Sequence, residues 1–185
     1  QRKNYKKDID EKQQAVDTAE TYLSNAKMGG KPEKIAKSQA KLDEAKANLA
    51  NSQQNLDEFN KSKVKKSGEN VKTAQANVTK AEAELKKAKA SGNKEQIAKA
   101  KANLNKANNE LKQAKADHAN NKAVGNVDSA KSKVETAKNE LRSAKANGDP
   151  VEIAKAQANL DSARQGLAVA NKGMNKVNFD NKVSE

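Results

Sequence analysis

Apolar residues in this chain follow a two-in-seven ladder. Val71, Val78 and Leu85 stand seven apart, and Ala74, Ala81 and Ala88 follow each by three. This is a heptad with a branched apolar side chain at a and alanine at d. The ladder breaks at Ser91 and Gly92, then resumes with Ile97, Leu104 and Leu111 over Ala100, Ala107 and Ala114. Val127, Val134 and Leu141, followed by Ile153, Leu160 and Leu167, repeat the arrangement, with alanine at 130, 137, 144, 156, 163 and 170. An earlier copy runs through Ile9, Val16 and Leu23, then Ile35, Leu42, Leu49 and Leu56.

Two positions in seven make a narrow seam suited to a single partner helix, and alanine at d lets two backbones approach closely. The partner closest to hand is the neighbouring segment folded back antiparallel. The pattern therefore predicts an all-α, elongated chain of tandem antiparallel helical hairpins. Six helices are expected, near 5–27, 32–65, 70–90, 94–120, 127–146 and 150–172.

The breaks carry stop and start signals. Gly148 suits a helix end, Asp149 a cap, Pro150 the first turn and Glu152 a capping box. Gly92, Asn93 and Gln96 take the equivalent places, and Gly29, Gly30 and Pro32 mark the first break without an Asn or Asp cap. The second and third copies superpose at an offset of 56 residues, eight heptads, and the first and second at 62. Three hairpin repeats follow: 1–66, 67–122, and 123–185 with a C-terminal tail. "KKSGEN" and "HANNKAVGN", holding Gly68 and Gly125, are the joints, which either bend or let one helix run through.

Composition excludes a thick core: only 34% of the 185 residues are hydrophobic and 2% aromatic. Low hydrophobicity with 33% charge also fits a disordered chain, but a sustained heptad is more than disorder requires. With no cysteine there is no disulfide and no thiolate metal site. No apolar run approaches a membrane span, so insertion is not expected. The chain begins at Gln1 and reads as a segment of a longer protein.

The formal charge of +13 comes from 37 basic and 24 acidic residues, interspersed. The densest positive stretch is Leu85 to Lys115, where nine lysines face Glu95 and Glu110. This excess permits contact with an anionic surface. Nucleic acid is disfavoured as a partner because Tyr5, Tyr22, Phe59 and Phe179 are too sparse to form a stacking platform.

His118 is the only histidine and is read as a partly solvated helix-end residue rather than a ligand or base. The neighbouring carboxylates Asp43 and Glu44, and Asp57 and Glu58, point apart on a helix and read as solvated charges. No catalytic, cofactor or metal site is expected, and the chain is read as no enzyme. The turns remain as contact points for a protein partner: Gly29, Gly30 and Lys31; Ser91, Gly92 and Asn93; and Asn147, Gly148 and Asp149.

The ladder "EIAKAQANLDSARQGL" resembles the antiparallel coiled-coil hairpins of bacterial envelope and secreted proteins. Such stretches include stalks of Gram-positive surface proteins, receptor-binding hairpins of bacteriocins and hairpins of periplasmic adaptors. The resemblance implies a stalk, spacer or adhesive segment placed extracellularly or at the cell surface. The alternative it implies is a receptor-binding or translocation region of a bacteriocin-type toxin.

Overall fold

The computed structural model describes residues 1–183. Four α-helices make up almost all of them: α1 (Arg2–Met28), α2 (Pro32–Ser91), α3 (Lys94–Asn147) and α4 (Pro150–Val183). No strand occurs among the described residues, so the chain is all-helical as its periodicity predicts.

The three turns fall where the glycines predict. Gly30, Gly92 and Gly148 adopt φ of 65°, 70° and 80°, a left-handed conformation that side chains disfavour by roughly 1–2 kcal/mol. Each amide there reaches back into the helix just ended: Gly30 N donates to Lys27 O at 3.2 Å, Gly92 N to Lys89 O at 3.3 Å and Gly148 N to Ala144 O at 3.0 Å. Asn93 Oδ1 then accepts from the amides of Glu95 and Gln96 at 3.0 and 3.1 Å, and Asp149 Oδ1 accepts from Val151 N at 2.8 Å. Gln96 Oε1 accepts from the Ser91 hydroxyl at 3.1 Å, tying the turn across its mouth.

The six expected helices are four. α2 runs without interruption through "KKSGEN", and α3 through "HANNKAVGN". The phase of the seam explains α2. Its inward positions proceed Leu42, Leu49, Leu56, then Asn60, Val64 and Ser67, then Val71, Ala74 and Val78. Spacings of four, four and three from Leu56 to Ser67 are an eleven-residue step, which a helix absorbs by a small change of supercoil rather than by stopping. Gly68 and Gly125 therefore lie inside continuous helices and mark no break. A Cβ on Gly68 would lie 3.4 Å from His118 Cε1, and one on Gly125 would lie 3.4 Å from Asn60 Cβ.

The helices group into two compact units. The first joins Gln1–Phe59 to Asp128–Ala168. Within it, hydrogen bonds fix the directions. Arg2 meets Asp128 and Gln13 meets Asn139, both 126 residues apart, so α1 runs parallel to the end of α3. Lys46 meets Ser143 and Gln53 meets Thr136, seven steps forward on α2 against seven back on α3, so these two are antiparallel. One apolar cluster forms between α1 and α2, with Val16, Ala19, Leu23, Leu42 and Leu49 buried. Another forms between α3 and α4, with Val134, Ala137, Leu141, Ala144, Ala156 and Leu160 buried.

The second unit joins Asn60–Val127 to the chain from Val169 onward. Asn60 lies against Gly125, and Ser67 against His118. Stepping forward on α2 and back on α3 from those contacts sets Ala74 opposite Leu111, Val78 opposite Ala107 and Ala81 opposite Leu104. All six belong to one cluster. A large side chain thus faces a small one at each level, as a narrow seam between two close helices requires. Burying each leucine or valine stabilises the unit by roughly 1.5–3 kcal/mol relative to exposure.

Candidate interaction surfaces

The turn residues singled out by sequence are all exposed. Gly29, Gly30 and Lys31 connect α1 to α2 and Asn147, Gly148 and Asp149 connect α3 to α4, both in the first unit. The helix directions above place these two turns at the same end of that unit. Ser91, Gly92 and Asn93 connect α2 to α3 in the second.

Below the turn at Asn147, the first unit holds an open cleft of about 450 Å³. Leu49, Ala50 and Ala144 form its apolar lining, and Lys46, Gln53, Thr136, Asn139, Glu140, Ser143, Asn147 and Glu152 its polar one. Lys46 Nζ donates to Ser143 Oγ at 2.6 Å, and Thr136 donates to Gln53 Oε1 at 3.5 Å. Gln53 Nε2 is buried with no hydrogen-bond partner. The serine of this cleft accepts from an ammonium, the reverse of what a nucleophile requires.

Beside the cleft, polar side chains join α1 to α3. Gln13 and Asn139 exchange two amide hydrogen bonds of 3.2 Å. Arg142 Nη2 reaches Asp17 Oδ1 at 2.8 Å and its Nε reaches Glu20 Oε2 at 3.2 Å, and the guanidinium also touches Asn139 Oδ1. Burial pushes the Glu20 carboxyl above the ordinary range, and the negative Asp17 adds to this, while Arg142 and Lys46 pull against it. Farther along, Asp128 has a side chain only 2% exposed and accepts a two-pronged contact from Arg2, Nε and Nη2 both at 2.8 Å. Lys6 adds a second cation at 3.1 Å, and Tyr5 packs on Phe59 with ring centres 5.3 Å apart.

Sequence reasoning missed Asp128, Arg142 and Asn139. A signal was present: arginine occurs three times among 37 basic residues, at 2, 142 and 164. Two of the three make forked contacts that lysine could not reproduce.

His118, expected at a helix end, lies well inside α3 and is half-buried. The reason is the continuity of α3 through the expected joint. Its Nδ1 sits 3.0 Å from the hydroxyl of buried Ser67. That hydroxyl also donates to Val64 O at 3.0 Å. Which of the two donates depends on the histidine tautomer, and in either case the pair ties α2 to α3. A shallower cleft of about 300 Å³ beside it is lined by Lys63, Lys66, Ser67, Asn70, Asp117, Asn120 and Asn121.

The family model described as "Protein of unknown function (DUF1090)" matches residues 2–51 and 115–169. No curated protein and no solved structure is significantly similar to the chain.

Proposed function

Since the chain belongs to the DUF1090 family, we propose that its role is the one its packing serves: a non-enzymatic structural and interaction segment. It would be a stalk or spacer of a bacterial surface or secreted protein, built from tandem antiparallel coiled-coil hairpins and engaging a protein partner through exposed turns. One observation carries this reading. The large apolar side chains of the ladder are spent inside the chain, branched residues opposite alanines, leaving a lysine- and asparagine-rich exterior whose sharpest features are the turns. Such a segment holds its shape by side-chain packing alone.

The test is location. An antibody against the turn Ser91–Lys94 is expected to label intact producing cells, or to find the chain in the medium. Confinement to the cytosol would overturn the proposal. A partner bound through the turns would be lost when Asn147–Asp149 is replaced by a neutral turn of equal length, with helix content unchanged.

A further inference from the structure

The positive charge of this chain is concentrated in one place. Asn60–Val127, the helix pair of the second unit, holds sixteen lysines against six acidic residues, ten of the +13 formal charges. All sixteen lysines are exposed. No arginine and no aromatic residue occurs in this stretch. In the first unit, by contrast, Arg2 and Arg142 are paired with buried or half-buried acids.

The lysines of α2 are also sorted by face. With Val71, Val78 and Leu85 at a and Ser67, Ala74, Ala81 and Ala88 at d turned inward, Lys65, Lys72 and Lys86 fall at b and Lys66, Lys80 and Lys87 at c. These positions straddle f on the side opposite the seam. Glu82 and Glu84 fall at e and g beside the seam, and Glu69 is the only acid on the outer face, among alanines at f. Thr73 and Thr79, at c and b, turn their hydroxyls back to Glu69 O and Gln75 O, so the face presents ammonium groups almost alone. From Lys65 to Lys87 it extends about 33 Å at 1.5 Å per residue.

We propose that this lysine face of α2 binds a flexible linear polyphosphate, an anion with a negative charge on every phosphate, through its charges alone. Lysine ammoniums are point charges that attract phosphate without the fixed fork needed to recognise one group. The absence of aromatic residues from Asn60–Val127 removes base stacking as a contribution. Between the lysines lie alanine and threonine, with no large apolar side chain to enter a bilayer. A flexible chain can adjust its path to successive lysines over this length, which a stiff duplex, straight over about 150 base pairs, cannot.

The full chain is titrated with fluorescently labelled long-chain inorganic polyphosphate at about 50 and about 200 mM salt, the range over which charge-driven binding weakens steeply. Two variants carry six Lys→Gln changes each and are checked for unchanged helix content: one at Lys65, Lys66, Lys72, Lys80, Lys86 and Lys87, the other at Lys3, Lys34, Lys37, Lys41, Lys133 and Lys155. Both lower the formal charge equally. The first is expected to lose about tenfold or more in affinity and to flatten the salt slope by about 4, at about 0.7 per phosphate contact on a single strand. The second should lose less than about threefold, as removal of distant charge alone would produce. Equal losses in the two variants, or no binding by the unaltered chain at low salt, would overturn the proposal. So would tighter binding to a DNA duplex or to phosphatidylglycerol vesicles than to polyphosphate, which would assign the face to another class of partner.

Discussion

Glu20 turns one carboxylate oxygen toward Arg142 and keeps the other, Oε1, buried without a partner. Burial outweighs the attraction of Arg142 and Lys46, so the carboxyl is raised above its ordinary value of 4.5. A carboxyl raised by folding favours the fold while protonated, and that contribution is lost as pH rises through the raised value. The neutral amide of Glu20→Gln does not titrate. The variant is therefore expected to have a higher urea midpoint than the unaltered chain at neutral pH, and the gap should close below about pH 4, where the native carboxyl is also protonated. A gap that widens on acidification would mean that the pairing with Arg142 dominates. Such side chains were not legible beforehand. Asp17, Glu20, Asn139 and Arg142 meet only after α1 has been laid beside α3, and nothing local to either segment announces it. The caps Asn93 and Asp149 and the left-handed glycines were legible because their chemistry closes within five residues.

At the scale of the helix, the seam is governed by size. Ala107 faces Val78 across α2 and α3 and is 7% exposed, whereas Ala102, one face away, is open to solvent. Leucine and alanine have similar helix propensity, so exchanging one for the other isolates the room available. Ala107→Leu is expected to cost about 1–3 kcal/mol by overpacking and Ala102→Leu to be nearly neutral, as read from chemical denaturation midpoints. Stabilisation by Ala107→Leu would show that the arms are farther apart than the register requires. The ladder was legible in sequence because alanine and branched residues alternate with the period of the helix. The continuity of α2 and α3 was not, since Gly68 and Gly125 carry the same letter as the turn glycines. The backbone tells them apart: Gly30, Gly92 and Gly148 have positive φ, and Gly68 and Gly125 sit inside unbroken helix.

Across the whole molecule, α2 and α3 each contribute residues to both compact units. Melting either unit must fray helices that the other also uses, so a single calorimetric transition is expected. Ser62 is exposed within α2 near the boundary between the units. Ser62→Pro removes a backbone donor and clashes with the preceding turn, at about 3 kcal/mol. It should split the transition in two or lower its midpoint markedly. Two separate transitions in the unaltered chain would show that helix continuity does not couple them.

The third turn also has a chemical lifetime. Asn147 is the last residue of α3 and is exposed, and Gly148 follows it. An asparagine before glycine is prone to cyclise when the glycine nitrogen attacks its side-chain carbonyl, expelling ammonia to give a succinimide that water opens to aspartate or its β-linked isomer. In the folded chain that nitrogen donates to Ala144 O at 3.0 Å and is held away from attack. The reaction therefore proceeds only while the final turn of α3 is frayed, and it is irreversible. Each event places a negative charge at a helix C-terminus, where the dipole already opposes it. The turns at Gly29–Gly30 and Ser91–Gly92 contain no such pair. The fraction of altered Asn147 in an aged sample is thus a running record of how often this one end of the molecule has opened.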